Sequence, residues 1–227
     1  MNAEVKEVVL TLMSGRAYVF SLLHKLLGAE PTKALMDAVS SEESLQAVSL
    51  FASEENDAAA KLADVLTACR DMDDEKLAQV RDEYTRLFIG PEKLIAAPWE
   101  SVYTTKERAL FQESTLAVRG WYQNYGYALA QAPNYPDDHI SPMMQFLALT
   151  TERAAACVRD DVLCGYRNML EGQKLFEQNH ILNWVQQYAD DMDKSRTKLF
   201  YPQLVRAMTD FMAYDQQIVK ELLEAAA

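Results

Sequence analysis

Residues 5–31, VKEVVLTLMSGRAYVFSLLHKLLGAEP, decide the fold class. Val5, Val8, Val9, Leu12, Met13, Arg16, Tyr18, Val19, Leu22, Leu23, Leu26 and Leu27 recur in steps of three and four, the repeat of one helix face. Gly28 followed by Pro31 supplies the stop. The spacing predicts a long, mostly buried first helix. Outward from it, the same periodicity predicts short helices over 32–39 and 42–52, separated by Ser40 and Ser41. A longer pair follows over 56–70 and 74–88, joined by the acidic turn from Asp71 to Asp74, and Gly90-Pro91 ends the fifth helix. Further helices are expected near 161–177, 180–193 and 199–224.

Composition points the same way. Only 7 Gly and 7 Pro in 227 residues leave few tight turns for a many-stranded protein. The expectation is an all-α bundle of about ten helices. It forms a single domain, with a possible division into halves 1–88 and 104–227 joined by a loop near 89–103. Such halves could exchange between protomers, so a monomer or a domain-swapped dimer is expected.

Thirty-four acids against 22 bases give a net charge of −12, a field that repels phosphate backbones and anionic headgroups. Nucleic acid is not an expected partner, whereas a cationic one would be attracted. Acidity that serves only solubility is the alternative. Cys69, Cys157 and Cys164 are an odd set without CxxC spacing, which fits a reducing compartment. Glu4 and Glu7 stand where a signal peptide would be basic, and no apolar run approaches the roughly 18 residues of a membrane span. The cytoplasm is the expected location, with no integral membrane segment.

Chemistry-bearing residues gather between helices in the middle of the chain. Tyr84 to Pro91 read YTRLFIGP, Pro98 to Tyr103 read PWESVY, and Pro136 to His139 read PDDH. Thr104 with Glu107 has capping-box spacing, predicting a helix from there to about Gly126 with a stripe of Leu110, Ala117, Trp121 and Tyr125, flanked by Phe111, Val118 and Tyr122. Ser141-Pro142 reads as the cap and first turn of the next helix, leaving Asp137, Asp138 and His139 just before it. Those three could orient an imidazole, pair with a partner's guanidinium, or only cap a helix. The Trp99 segment is either a hydrophobic plug or a binding surface. Trp121, Tyr122 and Tyr125 have the spacing of core residues.

No phosphate loop or dinucleotide fingerprint occurs, His24, His139 and His180 lack zinc-ligand spacing, and no Glu-x-x-His pair suggests a di-iron bundle. No GxSxG elbow is present. No catalytic residue, metal site or cofactor is therefore expected, and a hydrolase using the Asp-Asp-His cluster is the remote alternative.

At these residues the chain resembles the TorD/DmsD branch of the redox enzyme maturation chaperones, a set that also includes NarJ-type proteins. The resemblance spans nearly the whole chain and is sharpest from Tyr84 to Thr150. It rests on Tyr84-x-x-Leu87-Phe88-x-Gly90-Pro91, Pro98 to Tyr103, Glu113 to Arg119, and Pro136 to His139, in that order. It implies an all-helical cytoplasmic chaperone, without catalysis, that binds the twin-arginine signal peptide of a molybdenum-containing oxidoreductase of the DMSO or TMAO reductase type. The chaperone would hold that cofactor-free client for cofactor insertion before export. Leu87, Phe88, Pro98, Trp99, Asp138 and His139 match positions the family uses for signal-peptide binding, and Glu92 stands where a DmsD-type relative has an aromatic residue. Two guanidiniums followed by an apolar helix call for carboxylates beside an aromatic groove. Asp137, Asp138 and Glu100 would supply the first, and Leu87, Phe88, Trp99, Tyr103 and Trp121 the second. His139 beside carboxylates would make binding pH dependent. A scaffold that binds only the cofactor-free mature enzyme is the alternative.

Overall fold

Helix α1 spans Ala3–Gly28 and starts where the Asn2 side chain accepts the Val5 N–H at 2.8 Å. The computed structural model describes residues 1–91, 93–105, 109–110, 112–129 and 136–225. Its further helices are α2 Lys33–Val39, α3 Glu42–Ser49, α4 Ala58–Thr67, α5 Asp74–Tyr84, α6 Glu100–Thr104, α7 Glu113–Asn124, α8 Ile140–Arg159, α9 Leu163–His180, α10 Val185–Met192 and α11 Tyr201–Ala225. A π turn, Thr85–Ile89, follows α5. Among the described residues there is no strand, only an isolated bridge between Trp99 and His139.

The first helix is as long as its periodicity predicts and mostly buried, although Val8 and Tyr18 of the predicted stripe are exposed, and it packs chiefly along α8. Gly28 permits the close approach at its end, because a Cβ there would collide with the Ser141 hydroxyl. Ser141 Oγ donates to the His24 carbonyl at 3.0 Å, which fastens the two helices. One hydrophobic cluster runs from Val9 through Phe20, Phe146 and Phe211 to Leu222. Each such side chain contributes about 1.5–3 kcal/mol of burial.

Two buried charged groups brace this core. Arg16 has no exposed surface, and its guanidinium donates to Asp215, Glu177, Thr151 and Gln173, joining α1 to α8, α9 and α11. Burial, and then the neighbouring Asp215, push the Glu177 carboxyl well above its usual range, and the Arg16 guanidinium works against that shift. Glu83, at the end of α5, accepts the N–H groups of Leu199, Phe200 and Tyr201 at 2.9, 2.8 and 2.9 Å. It thereby caps α11 from across the fold, a task no residue just before that helix performs by sequence signature.

Three expectations are corrected. The helix predicted from Thr104 begins at Glu113, and residues 100–104 form the separate α6, which raises the count among the described residues to eleven. Glu107 and Phe111, on which part of that expectation rested, lie outside the described residues, as does Glu92. His139, rather than Ser141, caps α8: its Nδ1 accepts the Ser141 N–H at 3.0 Å. Pro142 then occupies the third helical position, still in the first turn, where its missing N–H costs nothing. The fifth helix also ends differently in detail, with the π turn closing on Gly90, whose N–H reaches the Thr85 carbonyl at 2.9 Å and whose φ of 99° suits glycine.

Candidate functional site

The Pro98–Glu100 and Asp138–Ile140 segments run antiparallel beside each other. Ile140 N–H donates to the Pro98 carbonyl at 2.9 Å, and Glu100 N–H to the Asp138 carbonyl at 3.1 Å. This places the Trp99 and His139 rings edge to face, with centroids 5.1 Å apart.

Asp138 is wholly buried. Its carboxylate accepts the Ser101 N–H at 2.8 Å, at the start of α6, and the Thr115 hydroxyl of α7 at 2.9 Å. It caps one helix and ties it to the next. Asp137 pairs with Arg119 of α7, whose Nη2 and Nε lie 2.6 and 2.8 Å from Oδ2, and its carbonyl accepts the Tyr122 hydroxyl. Arg119 is 35% exposed, so this pair sits at the rim. Glu100 is buried and meets His180 Nδ1 at 3.1 Å, linking α6 to α9. Burial raises the Glu100 carboxyl, and the His180 hydrogen bond works against that shift.

His139 departs from its expected role. Burial, with a small addition from His24, lowers its pKa to about 3. It therefore stays neutral between pH 5.5 and 8, consistent with an Nδ1 that accepts a backbone N–H, and the expected pH dependence of binding through His139 is withdrawn. Asp138 is likewise taken up by the frame, through Ser101 and Thr115.

The aromatic residues are partly open. Tyr103 is half-buried and stacks on Trp184 at 5.4 Å. Trp121 stacks on Tyr125 at 6.1 Å and meets Phe176 edge-on. Trp99 and Tyr103, with Leu94, Ile95, Val102 and Asp191, line a cavity of about 350 Å³. The Trp99 indole N–H has no hydrogen-bond partner among the described residues. Leu87 lines a second cavity, of about 670 Å³, with Arg86, Leu94, Ile95 and Arg196. The two cavities share Lys93, Leu94 and Ile95, so they adjoin. Phe88 instead turns into the core, stacked on Tyr84 at 4.8 Å and edge-on to Tyr201 at 5.0 Å.

The structure thus brings Pro98, Trp99, Glu100, Asp138 and His139 into one clasp and pins it to α7 through Asp137. It sets Tyr103 and Leu87 along adjoining cavities. Asp191, at the end of α10, was not anticipated. It is one of three acids in Asp190-Asp191-Met192-Asp193, and nothing in that run marks the one that faces a groove.

A helical frame that consumes most of its central ionisable groups and leaves an aromatic groove beside them defines an all-α binding protein. The chain belongs to the nitrate reductase delta subunit family, whose model matches residues 50–190. It is 30% identical over 125 residues to the probable Tat proofreading chaperone DmsD of Haemophilus influenzae, covering 55% of this chain and 54% of that one. It is 36% identical over 91 residues to the Tat proofreading chaperone DmsD of Salmonella typhimurium, covering 40% and 43%. The match thus spans about half the length of these curated relatives or less. The chaperone protein TorD of Vibrio vulnificus is 27% identical over 207 residues, covering 88% of this chain and 92% of its own. The resemblance read from the loop motifs is therefore one of family.

Proposed function

We propose that this protein is a cytoplasmic chaperone that binds the twin-arginine signal peptide of a molybdenum-containing oxidoreductase and supports its folding, cofactor insertion and export. The names of the TorD and DmsD relatives support the role. The observation that carries the binding mode is the pair of adjoining cavities joined along Leu94 and Ile95, with Leu87 on one side and Trp99 and Tyr103 on the other.

Charge sets the direction of the peptide. Arg86 and Arg196 line only the Leu87 cavity, whereas Asp191 lines only the Trp99 cavity. Lys93 lines both and Asp191 is ion-paired with Lys194, so the Trp99 cavity is only the less cationic of the two, and two guanidiniums are disfavoured there less than in the first. The twin arginines belong beside Asp191, Trp99 and the rim pair Asp137–Arg119. The apolar stretch then runs along Leu94 and Ile95 towards Leu87. Tyr103, Trp99 and Trp121 supply aromatic surface. Pro98, Glu100, Asp138, His139 and Phe88 act through position: they hold the clasp and the wall that the peptide meets.

Calorimetry with a synthetic twin-arginine signal peptide and a twin-lysine control tests this reading. Arginine preference is expected, because a guanidinium fork matches a carboxylate and stacks on indole where an ammonium does not. Asp191→Asn is expected to weaken the arginine peptide by no more than about 1 kcal/mol, because a peptide guanidinium has to compete with Lys194 for that carboxylate. Absence of binding to both peptides would refute the proposal and favour a scaffold that recognises only the cofactor-free mature enzyme.

A further inference from the structure

On the side of α1 that faces α3 and α11, the molecule exposes apolar surface that the peptide groove does not use. Val8 is 54% exposed and Leu50 41%. Both line a cavity of about 680 Å³ whose walls include Val5, Leu12, Tyr214 and Ile218. Leu50 also borders a second cavity, of about 780 Å³, on the other flank of α1, so the apolar surface continues around that helix. Exposed apolar patches rimmed by polar groups mark interaction sites.

The rim of the first cavity is one-signed. Glu4, Glu55 and Glu221 line it, and no Lys or Arg does. The cations on this part of α1 are occupied elsewhere: Lys6 reaches Asp161 at 2.7 Å, and Arg16 is buried against Glu177 and Asp215. The groove lies along the first turns of α1 and the last turns of α11, which lie side by side beyond the Arg16–Asp215 contact. From Glu4 to Leu12 is about 12 Å of helix at 1.5 Å per residue, and from Tyr214 to Ala225 about 16 Å. That length accommodates two to three turns of a helix.

We propose that this groove is a docking surface for a basic amphipathic helix of a partner protein, separate from the signal-peptide groove. An apolar stripe at i, i+3, i+4 and i+7 would pack on Val8, Leu12 and Ile218, and flanking lysines or arginines would face the three glutamates. A second copy of this chain is disfavoured by its net charge of −12, and an anionic membrane by the same carboxylates. The proposal does not depend on the twin-arginine reading, since the two grooves share no residue.

The test uses the full chain and a fluorescein-labelled 18-residue Leu/Lys amphipathic peptide, read by anisotropy, with a Leu/Glu peptide of the same pattern as control. Glu4→Gln/Glu55→Gln/Glu221→Gln is expected to weaken binding about tenfold, and Val8→Ser about threefold. All four positions are exposed, so the fold is retained. Asp74→Asn/Glu75→Gln/Asp82→Asn removes the same charge from exposed positions on α5 and is expected to change affinity less than twofold. Saturating twin-arginine peptide is expected not to displace the probe. Equal weakening by both triple variants would mean diffuse attraction and overturn the proposal. Displacement by the twin-arginine peptide would reassign the probe to the first groove and overturn it as well, whereas failure of the twin-arginine peptide to bind would touch only the proposed function.

Discussion

Asp138→Asn separates a carboxylate that holds the frame from one that holds a peptide. In the structure its oxygens accept Ser101 N–H at 2.8 Å and the Thr115 hydroxyl at 2.9 Å, with no exposed surface. Asparagine can keep both contacts by turning its oxygen to Ser101 and its NH₂ to Thr115 Oγ1, which is acceptor as well as donor. Two charge-assisted bonds of about 1.5–3 kcal/mol then become neutral bonds of about 0.5–1.5 kcal/mol. The neutral side chain is also cheaper to bury, which offsets part of the loss. The expected net cost is about 1–3 kcal/mol of stability, and Asp138→Ala, which strands both donors, costs about 3–5 kcal/mol. Urea unfolding followed by tryptophan fluorescence reads this directly. With an m-value of about 1–3 kcal/mol/M, a 2 kcal/mol loss lowers the midpoint by about 0.7–2 M. Thr115→Val should couple to Asp138→Asn by about 0.5 kcal/mol or more in a double-mutant cycle. Peptide affinity should fall only as far as the clasp loosens. Unchanged stability together with a tenfold loss of peptide affinity would refute this account and make Asp138 a direct ligand.

Three further outcomes are expected. Glu83→Gln removes the charge that caps α11 and sets an amide NH₂ against at least one of three N–H donors, so unfolding should come about 2–4 kcal/mol more easily; a change under 0.5 kcal/mol would show that the cap contributes little. His139 has a folded pKa of about 3 against about 6.5 when unfolded, so the unfolded state binds the proton first and stability is lost as pH falls below 6.5. From pH 7 to 5 that loss is about 2 kcal/mol, and His139→Asn, which keeps a cap acceptor, should lack it; equal slopes in the two proteins would contradict the depressed pKa. Cys69 is buried with its thiol pushed up to about 12, while Cys164 is exposed, so a thiol reagent at neutral pH should label Cys164 first and reach Cys69 only on unfolding. Comparable rates by mass spectrometry would contradict that packing.

Much of the helical frame was legible because periodicity records burial. The steps of three and four in residues 5–27 marked most of the buried face of α1, Arg16 included but not the exposed Val8 and Tyr18, and Gly28-Pro31 marked its end. The α6–α7 break was not legible, since Thr104 and Glu107 carry a capping signature whether or not the chain uses it. The motif residues of the candidate site stood out as Trp, Pro, Asp and His in connections, but their orientation did not. A carboxylate facing a buried N–H and one facing a groove are the same letter, so motif reading could not tell that Asp138 holds the frame or that Asp191 lines a cavity.

By itself the sequence determined the all-α class, the net negative charge and the connections rich in Trp, Pro, Asp and His, because these follow from local periodicity, summed charge and unusual connection residues. Only the tertiary structure decided that Glu83 caps a helix 116 residues away, that Arg16 is saturated by α8, α9 and α11, and that the Asp137–His139 run builds the clasp. Burial and hydrogen-bond partners are set by segments distant in the chain, and they fix whether an ionisable side chain meets a neighbour, a proton or a ligand.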